Sequence, residues 1–379
     1  MTGLRRIFAV GRKEFIHISR DWRMLVAVLL LPVTQLLLFS YAISFDVKNV
    51  PAVVIDHDRT ATSREALAHF EQSDFFHVVA YVENGAEADA YVARSEARVI
   101  IEVPPGFGRE IAQDGTPSLQ VLVDGSEPNS AQLAQTYATA LTQTLSQRVS
   151  VTWAERRGLD ISSAGQLEPR LRMWYNPERR SADFLIPGLM VVIIMIVTMQ
   201  QTAVTLVRER DQGTYEQLAV SPIRRGELML GKVAPWMALG LIDVVVITIV
   251  AVLVFGIPLR GSVLTLALAS FLFVLCCLSI GLIISSRAPS LETANFLGLM
   301  VAFLPGFMLS GFAFPLASIP TVLRWVSYLF PARYMVVITR AIFLKGAGLS
   351  VLASDVTALA VYALVGLTVA SLLWARRAD

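Results

Sequence analysis

Six long apolar segments, separated by polar stretches, dominate the pattern of the chain. An α-helix rises about 1.5 Å per residue, so about 20 apolar residues cross the hydrocarbon core of a bilayer, which is about 30 Å thick. Six transmembrane helices are therefore predicted, at residues 24–45, 184–206, 233–255, 263–284, 296–314 and 356–374. The first run is longer than the core of a signal peptide and its basic leader extends to Arg23, which favours an uncleaved anchor.

Residues 46–183, between the first two predicted spans, follow a different pattern. Short runs rich in β-branched residues alternate with short helical runs, which is typical of a small α/β sheet with crossover connections. The predicted strands lie at 51–56, 77–82, 97–104 and 119–125, and the predicted short helices at 63–72, 86–97 and 107–115. A longer helix is predicted after Asn129, where large apolar residues recur at every fourth position.

The N-terminal residues 1–23 have the pattern of an amphipathic helix. One helical face carries apolar side chains such as Ile7 and Phe15, and basic side chains such as Arg5 and Arg12 lie elsewhere. This pattern favours a helix that lies in the interface of anionic lipid, and a simple basic anchor for the first span is the alternative.

Composition and charge support a membrane protein with an inserted polar domain that is exposed to water. Hydrophobic residues make up 55% of the 379 residues, charged residues 16%, and the mean hydropathy is +0.59, which excludes a disordered chain, a coiled coil and an ordinary soluble enzyme. Residues 46–183 hold 13 basic and 20 acidic residues, whereas the rest of the chain holds 19 and 10. The predicted fold is an α-helical polytopic membrane protein with six transmembrane helices and an inserted extracytoplasmic α/β domain.

The distribution of Lys and Arg in the short loops predicts the orientation. Fourteen lie on the side of the two termini, in residues 1–23, 207–232, 285–295 and 375–379, and five lie on the other side. Positive residues are retained in the cytoplasm, so both termini are predicted to be cytoplasmic and residues 46–183 to lie outside.

Candidate reactive groups give no convincing catalytic or metal site. His57 lies between Asp56 and Asp58, but no further ligand follows at a spacing typical of zinc, so a turn after a strand is the preferred interpretation. Cys276 and Cys277 are adjacent on one predicted span and point about 100° apart, which favours two buried thiols over a disulfide bond.

The loop at 207–232 contains a false phosphate-binding motif. Gly226, Gly231 and Lys232 match G-x-x-x-x-G-K, but Val233 follows where a magnesium-binding hydroxyl is needed, and no strand precedes the motif. We therefore expect no ATP hydrolysis by this chain itself.

The same loop, VRERDQGTYEQLAVSPIRRGELMLGK, resembles the cytoplasmic segment of ABC-2 type transporter permeases. The resemblance extends to the basic N-terminus, the large insertion after the first span and a fifth segment rich in Pro and Gly. It implies that the segment 208–222 couples the permease to an ATP-binding subunit, although charges in such a loop would also be explained by solvation alone. The implied coupling residues are Glu209, Arg210, Gly213, Thr214, Glu216, Leu218 and Pro222.

The resemblance also implies the partners of the chain. Two permease chains, identical or paired with a relative, would form the pathway, and ATP and magnesium would be bound by a separate ATP-binding cassette subunit. The chain itself would have no cofactor, no metal and no enzymatic activity, and no nucleic-acid partner is expected. Drugs and lipophilic compounds are the implied substrates, the bacterial inner membrane is the implied location, and membrane lipids and a periplasmic adaptor protein are further implied partners.

Two groups of polar or irregular positions within the predicted spans are further site candidates. Asp243 is an intramembrane carboxylate, whose possible roles are a proton site, a substrate contact or a hydrogen bond to Gln200, Gln201 or Thr202. The second group lies near the fifth span, where an irregular or re-entrant element on the outer side is predicted. Its members are Pro305, Gly306, Pro331, Tyr334 and Arg340.

Two other classes of protein fit parts of the pattern. An ATP-independent receptor or scaffold would use the external domain to bind a ligand, and a proton-coupled antiporter would use Asp243. The absence of a visible inverted repeat argues against the antiporter.

Overall fold

The computed structural model describes residues 3–42, 49–73, 75–113, 115, 117–126, 128–156, 174–176, 180–211, 213 and 225–375. The chain forms two compact units, one of Met1–Ser44 with Met173–Asp379 and one of Phe45–Arg172. The second unit ends before the predicted boundary at 183, because Arg180 already belongs to the first unit, where its Nη2 donates to the carbonyl of Phe255 at 2.7 Å.

Helices make up most of the chain, and the strands lie in the second unit. The helices are α1 (Gly3–Arg20), α2 (Trp22–Ala42), α3 (Ala61–Glu71), α4 (Gly85–Ala93), α5 (Phe107–Ala112), α6 (Pro128–Arg156), α7 (Ser181–Asp211), α8 (Arg225–Leu253), α9 (Val263–Arg287), α10 (Leu291–Met308), α11 (Thr321–Ser327), α12 (Pro331–Arg340) and α13 (Ala353–Ala375). The strands are β1 (Val50–Asp56), β2 (Phe76–Val82), β3 (Val99–Val103) and β4 (Gln120–Val123).

Within the described residues, six helices are long and apolar enough to cross a membrane. They are α2, α7, α8, α9, α10 and α13. The prediction of a polytopic helical membrane protein is confirmed at this level. The helix α7 is the centre of the unit, since it is buried over most of its length and packs against α2, α8, α9, α10 and α12.

The fifth span, α10, is displaced from its predicted position at 296–314. It begins earlier because Ser290 caps it, its hydroxyl accepting a hydrogen bond from the backbone N–H of Thr293 at 3.2 Å. It ends earlier because the chain turns at Gly311, whose φ of 84° lies in the left-handed region. The charged Glu292 in the first turn lowers the local hydropathy, which explains why the apolar pattern misplaced the helix.

A broken helical element follows α10. The short α11 meets the segment Pro331–Lys345, which begins with α12, at 86°. The break occurs at Phe330, where an extended backbone precedes Pro331, and proline disfavours a helical conformation in the residue before it.

The second unit is an α/β fold with a four-stranded sheet in the order β2-β1-β3-β4. The strand β1 is parallel to both β2 and β3, and β3 is antiparallel to β4. Alternate residues of β1 enter two different apolar clusters, Val54 joining Phe70 and Phe107, and Ile55 joining Val82. The sheet is therefore covered on both faces, as expected when crossover helices connect parallel strands.

The carboxylate of Asp58 lies at the C-terminal ends of the two central strands, β1 and β3, and connects the chain segments that follow them. It accepts hydrogen bonds from the hydroxyl of Thr60 at 2.6 Å and from the backbone N–H groups of Gly106 and Gly108, each at 2.9 Å. These hydrogen bonds, led by that of Thr60, and the charge of Arg109 hold the pKa of Asp58 below its ordinary value of 3.8.

Replacing Asp58 by asparagine is expected to destabilise the second unit at neutral pH. Because the pKa is lowered in the folded state, the stabilisation is present above about pH 4 and is lost as the pH falls through the folded pKa. Limited proteolysis of the full chain should therefore cleave Asp58→Asn faster than the wild type at neutral pH, with a difference that shrinks in acid. Asp89→Asn, at an exposed position of α4, is the control, and equal rates for the two variants at neutral pH would contradict the role of Asp58.

Candidate functional site

The first residues of the sequence motif lie at the end of α7. Gly213 follows α7 with a φ of 70°, and its N–H bonds to the carbonyl of Arg210 at 3.1 Å, so a left-handed glycine ends the helix. Of the predicted coupling residues, Glu209, Arg210 and Gly213 are described. Thr214, Glu216, Leu218 and Pro222 lie outside the described residues.

A buried ion-pair cluster joins three helices beneath this loop. Lys232 of α8 is 1% exposed, and its ammonium group pairs with the carboxylate of Glu209 on α7 and lies 3.5 Å from that of Glu14 on α1. Lys13 lies at the rim, 4.0 Å from Glu209 and largely exposed. We name the cluster of Glu14, Glu209 and Lys232 the α1–α7–α8 junction.

The same end of α7 is also attached to α9. The guanidinium of Arg210 donates to the carbonyl of Ala288, just past the end of α9, at 2.8 Å, and the hydroxyl of Ser285 accepts from the N–H of Leu206 at 3.1 Å. Arg210 and Glu209 thus both bond to neighbouring helices of this chain. They fix the end of α7, where the described part of the motif stops.

Two glycines allow α1 to lie directly on α8. A Cβ atom at Gly231 would lie 2.7 Å from the Cβ of Val10 and 2.9 Å from the carbonyl oxygen of Ile7, and one at Gly11 would lie 3.3 Å from the carbonyl oxygen of Gly231. Small residues permit such a close approach of two helix backbones. Gly231 and Lys232, the end of the false phosphate-binding motif, therefore serve helix packing and ion pairing.

Sequence reasoning missed Glu14, although a signal was present. Glu14 is the sole acidic residue before Asp21, and it shares a helical face with the buried side chains of Val10 and Ile18. An acidic residue on the apolar side of a basic helix indicates a buried cationic partner. The apolar face of α1 is divided, because Phe8 and Phe15 remain 73% and 57% exposed beside the part that packs on α8.

The polar candidates within the spans fall into two separate places. Asp243 is buried between α2, α7 and α8 and shares a small cavity with Gln201, but within the described residues it makes no hydrogen bond to Gln200, Gln201 or Thr202. Gln200 instead donates to Asn295 of α10 at 2.7 Å, at an exposed position.

Among the outer candidates, Arg340 makes the largest number of contacts. Its guanidinium donates to the carbonyls of Phe184, Gly311 and Phe312 at 3.1, 2.7 and 3.1 Å, and it lies over the ring of Phe184 at 3.7 Å. Arg340 thereby ties the start of α7 to the turn after α10.

The other outer candidates occupy separate positions along this region. Pro305 and Gly306 lie in the last turns of α10, and Gly306 is buried near Met195. Pro331 begins α12, and the hydroxyl of Tyr334 donates to the carbonyl of Tyr328 at 3.0 Å, across the break between α11 and α12.

The described residues contain no group of three or more His, Cys, Asp or Glu side chains that could hold a metal ion. Cys276 and Cys277 are buried free thiols on α9. His57 lies 3.2 Å from Glu102 as an isolated pair on the second unit. Among the described residues, the most complete arrangement is the set of charged side chains that joins the end of α7 to α1, α8 and the end of α9.

Comparison with known proteins identifies the family. The family model described as ABC-2 family transporter protein matches residues 22–372. The probable multidrug ABC transporter permease YbhS of Escherichia coli (strain K12) is 31% identical over 345 residues, which cover 90% of this chain and 89% of the relative. YbhR of the same strain, another probable multidrug ABC transporter permease, is 28% identical, covering 91% of this chain and 92% of the relative. The inner membrane transport permease YhhJ of that strain is also 28% identical, covering 93% and 92%. The chain therefore belongs to the ABC-2 family of transporter proteins, and it is a membrane permease subunit of an ATP-binding cassette exporter.

Proposed function

We propose that this permease is driven by a separate ATP-binding subunit that docks on the segment 208–222, and that the α1–α7–α8 junction transmits the motion of that segment to the spans. The proposal rests on one observation, the buried ion pair between Glu209 and Lys232 at the end of α7. A loop anchored in this way moves with its helices, whereas a merely solvated loop would move independently of them.

The path of transmission follows from the packing of α7. The loop leaves the end of α7 and enters α8, so a force on the loop acts on both helices at once. Since α7 packs against α2, α8, α9, α10 and α12, its displacement reaches most of the helical unit. Packed helices transmit such displacements because protein interiors are dense and resist compression.

A second permease chain would complete the pathway. The hydrogen-bonded pair of Gln200 and Asn295 lies at an exposed position of two candidate spans, where contact with lipid chains is costly for amide groups. A partner chain or a water-filled pathway beside this surface would remove that cost. Homodimers and heterodimers fit this requirement equally well.

We further propose that the chain is a multi-pass protein of the bacterial inner membrane with both termini in the cytoplasm. The basic loops support this orientation, and it would place the α/β unit outside the cytoplasm. The exposed Phe8 and Phe15 of α1, with Arg5 and Arg12 nearby, suit the interface of an anionic lipid leaflet.

The substrate is proposed to be a drug-like or lipophilic compound, and the description of YbhS and YbhR as probable multidrug transporter permeases supports the drug-like class. ATP and magnesium would be bound and used on the partner subunit, and a periplasmic adaptor protein would be a further partner. The family assignment favours this function over the membrane receptor and over the proton-coupled antiporter.

Transport in everted membrane vesicles tests this function. Vesicles that contain the chain and its ATP-binding subunit should accumulate a fluorescent lipophilic dye when ATP is added, and Glu216→Ala should abolish the uptake although the chain still inserts. Glu83→Ala, exposed on the α/β unit, is the matched control and should transport normally. Dye uptake that is unaffected by ATP, or by Glu216→Ala, would exclude the proposed coupling.

A further inference from the structure

A small internal cavity surrounds Asp243 in the middle of the helical unit. Its volume is about 10 Å³, and Asp243 itself is 3% exposed. The cavity lies between three candidate spans. Its lining residues are Val28 of α2, Val197, Thr198 and Gln201 of α7, and Trp236, Leu239, Gly240 and Asp243 of α8.

Two polar atoms at this cavity are without a hydrogen-bond partner in the part of the chain that the structure describes. They are the Oδ1 of Asp243 and the indole Nε1 of Trp236, both fully enclosed. The two residues are seven positions apart on α8, so they lie on the same side of the helix, two turns from each other. One is an acceptor, or a donor if protonated, and the other is a donor only.

Packing prevents the two groups from finding other partners by a shift of the helix. A Cβ atom at Gly240, between them, would lie 2.8 Å from the side chain of Val274 on α9. The helix α8 is therefore held tightly against α9, with the cavity on the side of α2 and α7. Both residues line the cavity, so an occupant of the cavity is the nearest candidate partner for their polar groups.

The size and the polar lining of the cavity favour a single water molecule as its occupant. A single water molecule needs about 10–15 Å³ and two to four polar partners, which the groups of Asp243, Trp236 and Gln201 supply. No Lys, Arg or His lines the cavity, so an ionised carboxylate of Asp243 would be buried without a counter-charge, which disfavours the ionised form.

We propose that Asp243 is a proton-binding site, and that the neutral acid shares one bound water molecule with Trp236 and Gln201, thereby linking α8 to α7. The bound proton turns the carboxyl into a hydrogen-bond donor as well as an acceptor. The water satisfies the indole N–H, which has no other acceptor among the described residues. This inference requires neither the ATP-binding subunit nor any transported substrate, and so it stands apart from the proposed function.

Asp243 is the one residue lining the cavity whose side chain can bind or release a proton in the ordinary pH range. The other residues that line the cavity are Val28 from α2, then Val197, Thr198 and Gln201 from α7, and Trp236, Leu239 and Gly240 from α8. None of these side chains gains or loses a proton in the ordinary pH range. A carboxylic-acid signal from this place can therefore come from Asp243 alone.

Infrared spectroscopy of the full-length chain in lipid bilayers tests the proposal directly. At neutral pH the wild type should show the C=O stretching band of a protonated carboxylic acid, and the band should shift when aspartate is isotopically labelled at its carboxyl carbon. Asp243→Asn should lose the band, and Asp89→Asn, an exposed position on the α/β unit, should keep it. A wild type without a label-sensitive band would overturn the proton site, and so would a band that persists in Asp243→Asn.

A second variant tests the bound water. Trp236→Phe keeps the ring but removes the N–H donor, so the carboxylic-acid band should remain and change its frequency as its hydrogen bonding changes. An unchanged band in Trp236→Phe would overturn the water bridge. If Asp243→Asn does not insert, Asp243→Glu keeps an acid at this position. The band of that variant should no longer respond to labelled aspartate, and a band that still responds would overturn the assignment to residue 243.

Discussion

Replacing Lys232 by methionine is expected to lower the free energy of unfolding of the helical unit by about 3–5 kcal/mol, the usual cost of removing one partner of a buried ion pair. The substitution keeps the length of the side chain but leaves the carboxylates of Glu14 and Glu209 buried without their shared cation. The two acids would then repel each other, and the contact between α1 and the end of α7 should be lost. The thermal unfolding of the purified chain in detergent measures the change.

Lys13→Met is the matched control for Lys232→Met. Lys13 also approaches Glu209, but at 4.0 Å and with 57% of its side chain exposed, so its loss should cost less than about 1 kcal/mol. The triple replacement of Glu14, Glu209 and Lys232 by apolar residues of similar size should recover most of the lost stability, because no unpaired charge remains. Equal unfolding temperatures of Lys13→Met and Lys232→Met would contradict the role assigned to the junction.

Replacing glycine by alanine at two positions of α8 is expected to change the stability in opposite directions. Gly231→Ala places a Cβ atom 2.7 Å from Val10 and 2.9 Å from a backbone oxygen of α1, so α1 must move away, at a cost of about 1–3 kcal/mol. Gly226→Ala meets nothing within 4 Å and replaces an exposed helical glycine by the best helix former, so it should be neutral or stabilising. Limited proteolysis of the N-terminal helix in the membrane-bound chain reports the detachment of α1.

The comparison isolates the close approach of α1 to α8 from the general effect of removing a glycine. Gly231→Ala should expose the bonds of α1 to protease, whereas Gly226→Ala should leave them protected as in the wild type. Protection of α1 in both variants would mean that the crossing at Gly11 and Gly231 tolerates a side chain, and the packing described for this site would be wrong.

The sequence predicts the spans well because hydropathy depends only on local composition. A window of about 20 apolar residues must cross the bilayer whatever its neighbours are, so α7 and α9 lie close to their predicted positions. The nearly continuous apolar run at residues 51–56 likewise reflects a strand buried on both faces. Two helices depart most from the prediction: α8 begins at Arg225 instead of residue 233, and α10 is displaced because a capping serine and an acidic first turn override the hydropathy.

The side chains of the junction could not be paired from the sequence. Lys232 and Glu14 are brought together by the crossing of α1 and α8, and helix crossings depend on the shapes of both surfaces. The sequence motif singled out Gly231 and Lys232 but gave no indication of their partners. An external position is predicted for Arg340, but its three carbonyl acceptors lie on parts of the backbone whose positions hydropathy does not describe.

Copurification with an ATP-binding subunit tests the central claim most directly. The tagged chain, extracted gently from membranes, should bring down an ATP-binding cassette subunit at a ratio near one to one. Glu216→Ala should lose that subunit while the permease itself remains folded and inserted. A permease that is purified without any ATP-binding subunit, or one whose complex is unaffected by changes throughout 208–222, would contradict the proposed coupling.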